Sequence, residues 1–286
     1  MTDTLDFERI SAPSRAAGPV SPVAGSVGER GLDRVEVHTD PRNALSAWAE
    51  LEAVAPASLY QTRRWLLPWI ATAGRSAGVE PMLVVAYSEG QPVVFCPFGI
   101  SRHGGLRVAG FLGGKDSNTN LALFRPGHGY RRAELFSLLT MAAAEAPQRP
   151  DLFILSNQPG SWEDIANPLV ESFPHQPSPS DCHRTDLVPQ FDVFLKNRLS
   201  KDTRKKLRQK EKRLSEIGPL THLQARAPDE IERILDAFVA QKRERLAEMG
   251  VAAAFDVPAA RAFLERAAHG DFAQREAAIE FHAFAV

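Results

Sequence analysis

Three apolar runs separated by glycine-containing dipeptides constrain the fold of this chain more than any other feature. The runs span residues 81–87, 92–98 and 106–111, and Glu89-Gly90 and Gly104-Gly105 lie between them. Glycine tolerates the positive φ angles of a tight hairpin turn, and each run is long enough for a strand. The sequence therefore predicts an antiparallel meander of three strands.

Periodicity predicts further elements around this meander. These are strands at 34–38 and 152–156 and helices at 41–54, 58–70 and 130–144. In the second helix Ser58 is the expected N-cap, and Trp65, Leu66 and Trp69 share one face. Helices that flank a mostly antiparallel sheet predict the α+β fold class.

Composition divides the chain into four parts. Its 286 residues are 44% hydrophobic, which suits two modest domains. Between residues 11 and 27, 13 of 17 residues are Ala, Gly, Pro or Ser. This segment has too few bulky apolar residues to offset the conformational entropy lost on folding. We expect a disordered tail at 1–31, a first lobe at 32–180, a Pro-rich linker at 181–190 and a second unit at 191–286.

Cysteine and histidine usage narrows the chemistry. Cys96 lies in an apolar run and Cys182 in the Pro-rich linker, which argues against a disulfide framework and favours a reducing, cytoplasmic compartment. The eight histidines are scattered, without His-x-x-x-His spacing or an acid cluster, so no metal site is expected. No segment has the pattern of a signal peptide or a membrane span.

A basic helix begins the second unit. Residues 196–213 contain ten Lys or Arg and two acids, although the net charge of the whole chain is −1. At 100° per residue Arg198 and five further cations fall on one side of the helix. The five are the candidate anion-binding residues and form the arc: Lys201, Arg204, Lys205, Arg208 and Lys212. Such an arc can bind the phosphates of a nucleic acid or cofactor, an acidic polymer or a lipid surface, and a solvated or lobe-packing helix face is the alternative. The absence of helix-turn-helix and finger spacing argues against nucleic acid.

The glycine-rich stretch at 110–114 invites comparison with phosphate-binding loops. It is one residue short of the P-loop spacing, and Asp116 stands where Ser or Thr must bind magnesium. It comes nearer to the pyrophosphate loop of acyl-CoA-dependent acyltransferases, but Leu112 replaces a small residue and no helix plainly follows. A hairpin and its loop are the favoured interpretation.

Residues 278–286 predict a final strand with Glu280 and His282 on the same side. Such a pair can transfer protons, although an acid and a histidine on a sheet face more often pair structurally. The chain stops inside this apolar run, so we expect the strand to lack its hairpin partner and the second unit to be incomplete. The open edge would then favour a homo-oligomer.

Two segments resemble a known family. The run Leu-Ser-Lys-Asp-Thr-Arg-Lys-Lys-Leu-Arg-Gln-Lys-Glu-Lys-Arg-Leu at 199–214 resembles the signature of GNAT-like acyltransferases grouped with the cellulose-biosynthesis protein CelD. Ser58-Leu59-Tyr60-Gln61-Thr62 through Trp65 resembles the other recurrent piece of that family. The family is distantly similar to the FemAB aminoacyltransferases.

This resemblance implies tandem GNAT-like lobes and transfer of an acyl group, with acetyl-CoA as the favoured donor, to the amine or hydroxyl of a small molecule or sugar. The setting implied is polysaccharide or cell-envelope metabolism. Family members continue past the point that corresponds to Val286, so the second lobe is expected to be truncated. Three consequences stay open: incomplete folding, a strand borrowed from a partner, or an inactive chain. The basic arc would hold an anionic group, and no base is assigned. The alternative function is a non-catalytic module that binds RNA or an acidic polysaccharide.

Overall fold

The computed structural model describes residues 31–179, 183, 185–251, 257–269 and 277–286. Apart from Gly31, the predicted tail lies outside the described residues, and so does Cys182. Helices and mostly antiparallel strands make up the described part of the chain, which confirms the predicted α+β class.

A mixed sheet forms the centre of the fold. Its first four strands are consecutive and antiparallel: β1 (Arg34–His38), β2 (Glu80–Ser88), β3 (Gln91–His103) and β4 (Leu106–Phe111). The β2–β3 turn holds Glu89 at φ 52° and Gly90 at φ 76°. Two positive φ angles give a turn whose twist matches that of the paired strands. The predicted meander is confirmed, and β1 extends it by one strand.

Two short strands complete the sheet. β5 (Leu123–Phe124) pairs with β3, and β6 (Leu152–Phe153) runs parallel to β4. The strand predicted at 152–156 is thus shorter than expected. The N–H of Ile154 still donates to the carbonyl of Ala109 at 2.9 Å, but regular pairing ends there.

Helices cover both faces of the sheet, because alternate strand residues point to opposite sides. On one face, Leu135, Leu138 and Ala142 of α3 (Arg132–Glu145) are buried against Val84, Cys96 and Phe98. The other face carries α1 (Leu45–Glu52) and α2 (Arg63–Trp69). There the Trp48 indole stacks on Phe95 with 4.7 Å between ring centroids.

The predicted helices at 41–54 and 58–70 each begin with a short 3₁₀ turn, at 41–43 and 59–61. Ser58 caps the second turn as predicted, and Trp65, Leu66 and Trp69 are buried together. Pro68 lies inside α2, and a π-helical turn follows at 70–74. Proline has no N–H to donate, so the regular ladder is interrupted at this point.

A small hairpin and a short helix close the first part of the chain. They are β7 (Ser161–Trp162), β8 (Ile165–Ala166) and α4 (Pro168–Ser172). The second part contains α5 (Phe191–Arg198), α6 (Lys201–Ser215), β9 (Thr221–Gln224), α7 (Pro228–Glu248), α8 (Pro258–His269) and β10 (His282–Ala285).

Helix α8 belongs to the core on the α1–α2 face of the sheet. Phe263 and Ala267 are buried in the same cluster as Trp48, Trp65 and Trp69. The carbonyl of Ala267 accepts hydrogen bonds from the N–H groups of Ala278 and Ile279, at 2.8 and 3.2 Å. The segment that leads into β10 is therefore anchored to the main body.

The expectation that the final strand lacks a partner is wrong. β10 pairs antiparallel with β9, with His282 opposite Gln224 and Phe284 opposite His222. No run of alternating residues marked β9 in the sequence, because the strand has four residues and its partner lies about sixty positions later. Among the described strands, none covers the outer edges of this pair.

Candidate functional site

The basic helix is α6, and a break separates it from α5. Leu199 has extended backbone angles, and the Ser200 side chain caps α6 by accepting a hydrogen bond from the N–H of Thr203 at 3.1 Å. A serine N-cap satisfies one of the free N–H groups at a helix start. The break places the five predicted cations on one continuous helix that begins at Lys201.

The cations of this arc are exposed and largely without internal counter-charges. No residue of α6 is buried, and of the arc only Arg204 is partly covered. Among the described residues, Lys212 alone of the five forms an ion pair, with Glu216 at 3.9 Å. Because Glu216 is the one acid among the described residues that pairs with it, the arc presents a positive surface to solvent.

A second group of polar side chains lies on the β9–β10 pair, immediately after α6. His282 Nε2 lies 3.2 Å from Glu280 Oε2, and His282 Nδ1 lies 3.1 Å from His222 Nε2. The two imidazoles are parallel within 5°, with 5.2 Å between their centroids. We call Glu280, His282 and His222 the histidine relay. The sequence predicted the first two as a pair but missed His222, because the strand that carries it was not predicted.

The cross-strand register explains why the relay forms. His282 lies opposite Gln224 and His222 lies opposite Phe284, so His222 and His282 are diagonal neighbours. Diagonal residues of an antiparallel pair share one face and are within reach of ring side chains. Glu280 precedes His282 by two positions, which is the spacing of residues on the same face of an extended chain.

The glycine-rich stretch is not a phosphate cradle. Gly113 has φ +94°, and a Cβ at this position would lie 1.9 Å from Ser117 Oγ. The Trp69 indole donates to Asp116 Oδ2 at 2.9 Å, and only a three-residue 3₁₀ turn follows Gly113. The loop is filled by side chains of its own and of α2, which agrees with the hairpin-and-loop interpretation.

Gln61 ties this loop to the N-terminal helices. It is 1% exposed. Its Oε1 accepts hydrogen bonds from the N–H and Oγ of Ser58, at 3.1 and 2.8 Å, and its Nε2 donates to the carbonyl of Thr119 at 2.7 Å. A buried amide with all these partners serves to hold the segments together.

A cavity of about 220 Å³ opens in the first part of the chain, between β5 and α4. Its walls are mainly apolar and include Phe124, Tyr130 and Trp162. Among the described residues, none accepts a hydrogen bond from the Trp162 indole N–H, which is buried. The single hydroxyl proton of Tyr130 is shared between the backbone carbonyls of Val93 and Arg125, at 2.8 and 3.1 Å.

Other reactive groups are inert or dispersed. Cys96 is fully buried, and burial raises the pKa of its thiol, so the nucleophilic thiolate is suppressed. In the part of the chain that the structure describes, His, Cys, Asp and Glu form no group of three that could hold a metal ion. Nor is any helix of the described ranges long and apolar enough to cross a membrane.

Helix α6, β9, most of β10 and the histidine relay lie within a span of the chain that matches one family model. The site consists of an exposed cationic helix followed by a two-stranded sheet, within an α+β fold. Residues 201–284 match the family model described as an acetyltransferase (GNAT) domain. The match begins at the first residue of α6 and ends inside β10, so it contains the whole cationic arc and the histidine relay. No curated protein and no solved structure matches the chain significantly.

Proposed function

We propose that this protein is an acyl-CoA-dependent acyltransferase that modifies an amine or hydroxyl of a small-molecule or sugar acceptor. The single observation that carries the proposal is the acetyltransferase (GNAT) match at residues 201–284. The resemblance of 199–214 and 58–65 to CelD-type proteins supports a role in polysaccharide or cell-envelope metabolism. Acetyl-CoA is the favoured donor, since acetyl transfer is the activity in the description of the matched domain.

In this proposal the cationic arc binds the phosphate groups of the donor. CoA carries a diphosphate and a ribose phosphate, and Lys and Arg are the side chains that bind phosphate most strongly. Lys201, Arg204, Lys205 and Arg208 form no ion pair with described residues and are free to do so. The chemistry of these side chains therefore fits the donor.

The proposed organisation follows the composition of the chain. We assign a first lobe to 32–180, a linker to 181–190 and a second lobe to 191–286, with helix α8 of the second packed into the core of the first. The edges of the β9–β10 pair, which no described strand covers, would allow a homo-oligomer to form by strand addition. Cysteine usage supports the cytoplasm as the compartment.

A second candidate is a polyanion-binding module without catalysis. The observation that favours it is the exposure of α6, in which no residue is buried. Such a helix can lie along an acidic polysaccharide or an RNA backbone without any further structure. In the first function the cations bind one acetyl-CoA molecule, whereas in the second they bind the repeated charges of a polymer.

Titration calorimetry at two salt concentrations separates them. An acyltransferase should bind acetyl-CoA saturably with a stoichiometry near one, and its affinity for RNA should be negligible. A polyanion-binding module should bind RNA or an acidic polysaccharide with an affinity that falls linearly in log–log form as salt rises. Absence of heat with acetyl-CoA at both concentrations would overturn the enzyme proposal for this chain.

A further inference from the structure

The hydrogen bonds of the histidine relay have a direction. A carboxylate only accepts hydrogen bonds, so the contact of Glu280 Oε2 with His282 Nε2 requires the proton on that nitrogen. The other nitrogen of a neutral imidazole then carries a lone pair. His282 Nδ1 therefore accepts from His222, which must carry its own proton on Nε2.

This order of donors and acceptors leaves an unprotonated nitrogen of His222 at the end of the relay. With His222 protonated on Nε2, its Nδ1 holds a lone pair, and no described residue forms a hydrogen bond with that atom. His222 is exposed, so a substrate group can approach its ring. In this arrangement His222 is the base, and its tautomer is fixed by His282, which is in turn held by the Glu280 carboxylate.

The surroundings hold the relay in place. Gln224 Nε2 donates to Glu280 Oε2 at 3.3 Å, and the guanidinium of Arg226 donates to Gln224 Oε1 at 3.2 Å. The Phe284 ring lies beside His222 with 5.3 Å between centroids. Glu280 directly follows Ala278 and Ile279, whose N–H groups are bonded to α8. These contacts restrict the rotamers of the relay although its side chains face solvent.

We propose that His222 Nδ1 is the general base of the acyl transfer, and that His282 and Glu280 are positioning residues that act through it. This inference rests on the proposed acyltransferase function. The acceptor amine or hydroxyl loses its proton to His222 Nδ1 as its lone pair attacks the thioester carbonyl. The new N–C or O–C bond forms, the C–S bond breaks, and the CoA thiolate leaves and is protonated by solvent. His222 then gives its extra proton to solvent, which restores the base.

The positive charge produced on His222 is stabilised by the groups behind it. Once Nδ1 is protonated, the Nε2 proton of His222 is shared with His282 Nδ1, and the His282 Nε2 proton is held by the Glu280 carboxylate. The bond from His222 to His282 becomes charge-assisted and therefore stronger, and the Glu280 carboxylate, which already accepts from His282, offsets the new positive charge. The relay is thus stabilised more after proton transfer than before it, which is what a general base requires.

The kinetic test compares His222→Ala, His282→Ala and Glu280→Gln with the unchanged chain in an acetyl-CoA acetyltransfer assay. Removal of the base should lower kcat by about 10²-fold or more without changing KM for acetyl-CoA. Glu280→Gln should give a smaller loss of kcat. His103→Ala, which removes an exposed histidine of β3, is the matched control and should retain full activity. Full activity of His222→Ala would overturn the proposal.

A spectroscopic test does not depend on turnover. Long-range ¹H–¹⁵N spectra, recorded where the imidazoles are neutral, should show both His222 and His282 protonated on Nε2. His282→Ala should release His222 into a mixture of tautomers, whereas His103→Ala should leave its signal unchanged. Protonation of His222 on Nδ1 in the unchanged chain would overturn the relay. If the tautomers are as proposed but acetyl-CoA is neither bound nor consumed, the proposed function fails and the proposed base fails with it.

Discussion

The indole of Trp65 meets the ring of Phe263 edge-on, with 5.0 Å between the ring centroids and an interplanar angle of 84°. Trp65 lies on α2, near the start of the chain, and Phe263 lies on α8, inside the span that matches the acetyltransferase domain. Edge-to-face pairs are a favourable arrangement of aromatic rings. The contact therefore joins the matched span to the core of the central sheet.

Phe263→Ala should lower the free energy of unfolding by roughly 3–5 kcal/mol, because Phe263 is 4% exposed and its removal leaves a cavity beside Trp65. Denaturant unfolding followed by tryptophan fluorescence measures the change. Phe284→Ala is the matched control, since this ring is 69% exposed and its loss should cost well under 1 kcal/mol. Equal effects of the two substitutions would show that α8 does not belong to the core.

Gln61→Ala should destabilise the fold by roughly 1–3 kcal/mol, since it leaves the Thr119 carbonyl and the Ser58 hydroxyl without their partner in a buried site. Hydrogen exchange should increase in the 113–120 loop more than in β2. The exposed Gln241 of α7 offers the comparison, and its replacement by Ala should change stability by less than about 0.5 kcal/mol.

The Arg107–Asp151 pair should make the free energy of unfolding depend on pH in the acidic range. The Arg107 guanidinium and N–H hydrogen bond to the Asp151 carboxylate, which lowers its pKa from 3.8 to about 2. The carboxylate therefore contributes stability above its ordinary pKa, and this contribution is lost as the pH falls towards 2. The free energy of unfolding should be measured from about pH 5 to about pH 2, a range that contains both pKa values. It should fall less steeply with pH in Asp151→Asn than in the unchanged chain. An unchanged slope in that variant would exclude this pair as a cause.

Cys96 should resist thiol reagents until the protein unfolds, because its side chain is completely buried in the sheet and burial raises the pKa of the thiol. The measurement uses a Cys182→Ser chain, in which Cys96 is the remaining thiol. Labelling should follow the rate of global unfolding. Rapid labelling under native conditions would contradict the buried position.

Local chemistry explains the parts of the fold that the sequence predicts. Glu89-Gly90 and Gly104-Gly105 define two turns by the φ angles that glycine allows, and Ser58 marks a helix start through its cap. The cationic arc follows directly from helical spacing. These features require only residues a few positions apart.

The parts that were missed depend on distant partners. Thr221–Gln224 extends because it pairs with β10, and no local pattern distinguishes its four residues from a loop. The relay was incomplete in the sequence for the same reason, since His222 meets His282 only through the register of that pairing. Likewise, the apolar face of α8 did not reveal that Phe263 would meet Trp65, about two hundred positions earlier in the chain.

The central claim is that the arc of α6 holds the phosphates of acetyl-CoA, and a binding comparison tests it most directly. Calorimetry should measure the affinity of the unchanged chain, of Lys201→Glu/Arg208→Glu and of the off-arc control Lys206→Glu/Lys210→Glu for acetyl-CoA and for acetyl-pantetheine, which lacks the phosphates. The account predicts a loss of about tenfold or more, roughly 1.4 kcal/mol, for acetyl-CoA in the arc variant alone, and no change for acetyl-pantetheine. Equal acetyl-CoA affinity in the arc variant and the unchanged chain would contradict it.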